Sequence, residues 1–220
     1  MTDLDLKVRL ARSAAHRGLA MTDEVSDRFV AYFQLLRTWN RKINLTGFDL
    51  DDLAATPGAI DRLLLEPLAA AKLVPDGFRT LIDIGSGGGS PGLPIAIAAN
   101  LKVLLVEARV RKSAFLAEAI RALRLTGARV EARRYEELLT RPDLHEKHDL
   151  LSVRAVKIED RTLAGLQAFL RPGGQLFLFT GQAVVRNAAA VRPPLVWAGA
   201  HPLLASGGVQ LEVLTKSSPS

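Results

Sequence analysis

At 220 residues the chain is long enough for one domain with an appendage, and its core needs no covalent staple. It contains no cysteine and only four histidines, which excludes disulfides, thiolate metal sites, iron–sulfur clusters and a cysteine nucleophile, and argues against a metal centre. A net charge of +6 and a pI near 10.0, carried mostly by arginine, fit an anionic partner, because the planar guanidinium fork matches phosphate.

The opening residues mix charges with small apolar side chains, and no later stretch approaches the roughly 18 apolar residues of a membrane span. No membrane association is expected, and the cytoplasm is the expected compartment. Up to about residue 75 the pattern is helical: apolar residues recur at Val25, Phe29, Tyr32, Phe33 and Leu36, then at Leu63, Leu64 and Leu68. Thr22, just ahead of Glu24 and Val25, reads as a helix start. Between these helices residues 40–58, rich in Asn, Asp, Thr, Gly and Pro, read as a loop. Residues 1–75 are expected to form a helical cap, 76–216 the main domain, and the polar 217–220 a disordered tail.

From Arg79 onward the pattern changes. Short apolar runs, TLIDI, KVLLVE, ARVEARR, HDLLSVR, GGQLFLF and GVQLEVL, alternate with amphipathic stretches at Pro91–Ala99, Arg111–Leu123 and Ile158–Leu170. Unalternating Val, Ile and Leu runs mark strands covered on both faces. The expected fold is therefore α/β, a doubly wound, mostly parallel sheet with crossover helices.

The strongest local signal is LIDIGSGGGSPGLP at 81–94, a strand running into a glycine turn with Gly85, Gly87, Gly89 and Gly92. Such a turn lets a cofactor approach the backbone closely, although Gly87-x-Gly89-x-x-Gly92 also satisfies the dinucleotide pattern of dehydrogenases. Asp83, two residues before Gly85, can accept from an ammonium directly or through water. It would repel a pyrophosphate, which favours S-adenosylmethionine. Glu107 ends the second strand twenty residues after Gly87, the spacing at which an acid accepts from ribose hydroxyls. Arg109, Arg111 and Lys112 follow at the carboxyl edge of the sheet, where they could hold RNA phosphate; Arg121 and Arg124 could extend that basic face.

In order, NLT at Asn44–Thr46, LIDIGSGGGSPGLP, VEARVRKSAFL, LLSVRAV and GGQLFLFTGQ resemble the RsmG (GidB) family, the bacterial 16S ribosomal RNA guanine-N7 methyltransferases, over roughly residues 25–215. Pro91-Gly92-Leu93-Pro94 and Arg154-Ala155 are its most specific elements. The resemblance implies a seven-stranded Rossmann-like methyltransferase sheet, S-adenosylmethionine as cofactor, and 16S rRNA or the small subunit as partner of a monomer. It also implies cofactor contacts at Gly85, Ser90, Tyr135, Glu136 and Arg154, and places Asn44 and Thr46 in a loop facing the target base. Arg154 and Phe48 are candidates for a plane beneath that base. Two positions depart from the family pattern: Leu63 stands where a His is usual, and Thr180 where a Lys is usual. A methyltransferase of small molecules or proteins, an NAD-dependent oxidoreductase and a non-catalytic rRNA-binding assembly factor remain the competing readings.

Overall fold

A computed structural model describes residues 2–154, 158–181, 191–204 and 208–218. Two helices open the chain, α1 (Asp3–His16) and α2 (Asp23–Asn40). Each begins on a threonine. Thr2 accepts from the Asp5 amide while the Asp5 carboxylate accepts from the Thr2 amide, and Thr22 Oγ1 accepts from the Val25 amide at 3.3 Å, satisfying donors that a helix start leaves unpaired. Leu6, Leu10 and Ala14 of α1 lie one turn apart and are buried, as are Phe29, Tyr32, Phe33 and Leu36 of α2. Beyond a loop, a π-helical turn at Asp61–Leu65 runs into α3 (Glu66–Ala71).

Seven strands follow: β1 (Thr80–Ile84), β2 (Lys102–Val106), β3 (Arg129–Glu131), β4 (His148–Arg154), β5 (Leu170–Gly181), β6 (Leu195–Pro202) and β7 (Val209–Lys216). Their order in the sheet is β3-β2-β1-β4-β5-β7-β6. The first five are parallel, and β7 runs antiparallel to both β5 and β6. That inserted antiparallel strand departs from the dinucleotide order 3-2-1-4-5-6, and with it the oxidoreductase reading loses its structural basis. Helices α4 (Gly92–Ala98), α5 (Val110–Ala122), α6 (Tyr135–Leu138) and α7 (Asp160–Leu166) form the crossovers.

Because side chains alternate across a strand, the sheet splits its apolar residues between two layers. Leu81, Val103, Leu105, Leu150 and Phe177 pack with the cap and with α4 and α5. Ile82, Ile84, Leu104, Leu151 and Val153 pack instead with Leu138, Leu163 and Leu166 on α6 and α7. The strand order reverses between β1 and β4, so a crevice opens at their carboxyl ends.

Several boundaries differ from the sequence expectation. The third strand is only three residues long, and Arg133 and Arg134 lie beyond it. The helix expected over 158–170 ends at Leu166; a 3-10 turn at Gln167–Phe169 leads straight into β5. β6 had no recognisable run in the sequence. Ser217 donates through both its amide and its hydroxyl to the Pro194 carbonyl, so the tail is anchored at its first residue; residues 219–220 and Ala155 lie outside the described residues. No described helix is long and apolar enough to cross a membrane.

Candidate cofactor and RNA site

A cavity of about 470 Å³ occupies the crevice, on the α6 and α7 side of the sheet. Of the residues singled out from sequence, Gly85, Glu107, Arg109, Tyr135, Glu136 and Arg154 line it. Arg133 and Arg134 join them, two cations that no local pattern marks.

The turn after β1 shapes one wall. Gly85, with φ +70°, has no atom within 4 Å of where a Cβ would stand, which leaves bare backbone beside the cavity. Glu107 holds the turn in place: its Oε2 accepts from the Gly87 amide at 2.9 Å and its Oε1 from the Arg109 amide at 2.8 Å. The carboxylate is almost buried, yet each oxygen keeps a second lone pair. It can therefore brace the turn and still accept from a ligand hydroxyl.

Asp83 sits differently. It shares strand parity with Leu81 and so faces α4, on the far side of the sheet from the cavity; it is fully buried. Oδ1 accepts from Ser152 Oγ at 2.5 Å, the cross-strand neighbour of Asp83 on β4, while Oδ2 has no hydrogen-bond partner. Burial raises its pKa to about 6 against the opposing pull of Ser152, Ser86 and Arg154. With no surface open even to a water molecule, Asp83 has neither a direct nor a water-mediated contact with the cavity in this structure. Gly87, Gly89 and Ser90 are likewise absent from the cavity wall. Gly89 packs on Leu93 and Tyr32, and Ser90 Oγ donates to the Leu63 carbonyl at 2.9 Å.

Arg154, at the end of β4, is the charged centre of the site. Nη1 donates to the Arg62 carbonyl at 2.6 Å, Nη2 lies 3.2 Å from Glu66 Oε2, and the guanidinium stands 4.8 Å from the Phe179 ring centroid. Burial lowers its pKa to about 10, leaving it charged at neutral pH. The same burial raises the Glu66 pKa, with Arg154 and Arg62 pulling the other way.

No described cap residue lines this cavity; the cap lies beside it. Asn40 Oδ1 accepts from the amides of Leu45 and Thr46, and Thr46 Oγ1 accepts weakly from the Phe48 amide, so both side chains shape the 40–48 loop. Asn44 joins Arg109, Arg111 and Lys112 around a second hollow. Phe48 packs against the core on the cap side and does not line the cavity with Arg154. Both departures from the family pattern are buried: Leu63 lies in the core, and Thr180 Oγ1 donates to Glu212 Oε1 at 3.2 Å. Neither residue lines the cavity. Among the described residues, no three His, Asp or Glu side chains are grouped to hold a metal ion.

The fold and the crevice together define a Rossmann-like methyltransferase. In fold it is similar to a mutant of MtNAS in complex with S-adenosylmethionine (TM-score 0.57, 14% identity, 88% of this chain and 79% of that one). It is also similar to TrmN from Thermus thermophilus (TM-score 0.51, 22% identity, 68% and 48%). At the level of sequence, the GidB family, rRNA small subunit methyltransferase G, matches residues 26–203. The ribosomal RNA small subunit methyltransferase G of Acetivibrio thermocellus is 33% identical over 186 residues, 83% of this chain and 75% of that protein. Its counterpart in Xanthomonas euvesicatoria pv. vesicatoria is 36% identical over 204 residues, 89% of each. The chain belongs to the rRNA small subunit methyltransferase G (GidB) family.

Proposed function

We infer that this chain transfers a methyl group from S-adenosylmethionine to N7 of a guanosine in 16S rRNA, as a monomer in the cytoplasm. The observation that carries the reading is a cavity that combines bare glycine backbone, a braced carboxylate and a half-buried arginine at the reversal point of a methyltransferase sheet, in a chain of this family. The residues present fit the cofactor. Glu107 would accept from the ribose hydroxyls, Tyr135 and Glu136 would border the adenine, and Arg154 would meet the carboxylate, while Asp83 would act from behind the turn through Ser152 and the packing of Gly92. Gly87, Gly89 and Ser90 would act indirectly, by fixing the turn.

S-adenosylmethionine supplies a methyl group already activated on a sulfonium. Guanine N7 carries an in-plane lone pair and no proton, so the protein needs no general base; its work is to align the acceptor, exclude water and tolerate the movement of positive charge. Among the described residues, the cavity wall holds no His, Cys or Lys. The target base must be unpaired or drawn out of its stack to enter, with Asn44 and Thr46 on the loop it would face.

The test is methyl transfer from tritiated S-adenosylmethionine by the purified chain, offered total RNA, total protein and small metabolites separately, with N7-methylguanosine mapped by chemical cleavage. Label confined to small-subunit RNA at a guanosine is expected. Label in protein or metabolites alone, or cofactor binding without transfer to any RNA or subunit, would overturn the reading.

A further inference from the structure

The first turn of α5 carries Arg111 and Lys112 behind the N-cap residue Arg109 and has no acidic residue. Opposite it lies the cap segment Lys42–Asn44, and between the two is an open hollow of about 450 Å³ that shares Arg109 with the cofactor cavity. That volume falls within the range of small-ligand sites, roughly 300 to 1,000 Å³.

The charge around this hollow is uncompensated. Elsewhere the arginines near acids are paired: Arg37 and Arg41 with Asp51, Arg141 with Asp143, Arg171 with Asp149. The side chains of Lys42, Arg109, Arg111 and Lys112 have neither an ion pair nor a hydrogen bond among the described residues, and no carboxylate lines the hollow. Four like charges gathered at one place repel one another, an expense that an anionic ligand removes. Amid them stands Val110, at 77% exposure the most exposed large apolar side chain of the described residues, with half-buried Ile43 nearby. Cations surrounding an apolar patch suit a nucleotide, whose phosphate is anionic and whose base and sugar offer apolar faces.

We propose that this hollow holds the RNA nucleotide adjacent to the methylated one, with backbone phosphates on Lys42, Arg111 and Lys112 and the base or sugar against Val110 and Ile43. Arg109, common to both hollows, stands between the two nucleotides. The inference rests on the rRNA methyltransferase reading and adds to it a second subsite, with Lys42 and Val110 as members.

The test compares the full-length wild-type chain with the combined variant Lys42→Ala, Arg111→Ala, Lys112→Ala and with Val110→Ser. Three readouts are taken: S-adenosylmethionine affinity by calorimetry, small-subunit rRNA affinity across a salt series, and the KM for that RNA in methyl transfer. Each single-strand phosphate contact contributes about 0.7 to the slope of log affinity against log salt, so the triple variant should lose about 2 of that slope. Its KM for RNA should rise at least about tenfold, with cofactor affinity unchanged, which also reports an intact fold. Val110→Ser should weaken RNA binding at fixed salt with the slope unaltered. A triple variant with wild-type slope and KM would overturn the subsite while leaving the methyltransferase reading intact, and an unaffected Val110→Ser would overturn its apolar half. A wild-type chain that methylates no rRNA would instead overturn the parent reading before any variant is compared.

Discussion

The hydroxyl of Tyr32, on the second cap helix, donates to the carbonyl of Gly88 in the turn after β1 at 2.5 Å. Tyr32 is fully buried, and burial raises its pKa, so the group stays a donor at every physiological pH. Through this bond the cap grips the turn that borders the cofactor cavity. Tyr32→Phe keeps the ring and removes the bond from a half-buried carbonyl, a loss of about 1 kcal/mol. Urea unfolding should show that loss, and calorimetry should show weaker S-adenosylmethionine binding. Wild-type cofactor affinity in the variant would mean that the bond serves the fold alone.

Glu107 braces the turn from the other side. Glu107→Gln replaces one of two accepting oxygens with an NH2 group, which must then face a backbone amide. S-adenosylmethionine affinity should fall at least about tenfold, equivalent to about 1.4 kcal/mol. Titration calorimetry measures it directly, and an unchanged affinity would remove Glu107 from the cofactor site.

A methyl group at position 92 would stand 2.6 Å from the Asp83 carboxylate, and one at position 89, where φ is +91°, would stand 2.7 Å from Leu93 Cδ1. Gly92→Ala and Gly89→Ala should each lower stability by about 2 to 4 kcal/mol, combining overpacking with backbone strain at position 89. Gly47→Ala, which meets nothing within 4 Å, should stay within about 0.5 kcal/mol of wild type. Denaturant melts of the three variants would expose any failure of that ranking.

Removing one partner of a buried ion pair strands the other. Glu66→Gln leaves Arg154 with the Arg62 carbonyl but without its ion-pair partner, and should lower stability by about 3 kcal/mol, the low end for such pairs. Arg154→Ala should be milder for stability, because Arg62 still pairs with Glu66 at 3.1 Å, but harsher for cofactor binding. Thermal unfolding and calorimetry on both variants check whether the two effects separate in this way.

His148, at the start of β4, is buried with neither ring nitrogen hydrogen-bonded, and burial depresses its pKa from 6.5 to about 4. Between those values the unfolded chain binds the proton and the native chain does not, so this residue makes stability fall as pH drops through that window. Asp83, raised from 3.8 to about 6, acts with the opposite sign, because there the native state binds the proton first. His148→Leu should therefore gain about 2 kcal/mol relative to wild type on going from pH 7 to pH 5, at about 1.4 kcal/mol per pH unit below 6.5. Urea midpoints at the two pH values measure the difference, and parallel behaviour of both proteins would refute the assignment.

Much of the fold was legible because the central strands are covered on both faces and so read as unbroken apolar runs; TLIDI and HDLLSVR match β1 and β4 residue for residue. β6 escaped notice because it is an edge strand whose mixed sequence, LVWAGAHP, is broken by a register shift between Trp197 and Gly199. In the site, Glu107 was found from its spacing to Gly87, a distance fixed by one strand–helix–strand passage. A strand-end acid such as Asp83 can face either side of the sheet, and only the register against Ser152 reveals which. The partners of Arg154, at 62 and 66, and of Gly88, at 32, are brought in by tertiary packing and leave no local pattern.

Leu36 and the Leu45 carbonyl each come within 3.2 Å of where a side chain on Gly88 would begin, and the apolar residues of α1, α2 and α3 join those of β1, β2 and β4 in one cluster. The opening helices are thus upholstery for the sheet rather than a lid hinged above it. A shortened gene product starting at β1 would bare that entire greasy face and clump, whereas a fusion joined ahead of Thr2 would disturb nothing that the sheet leans on.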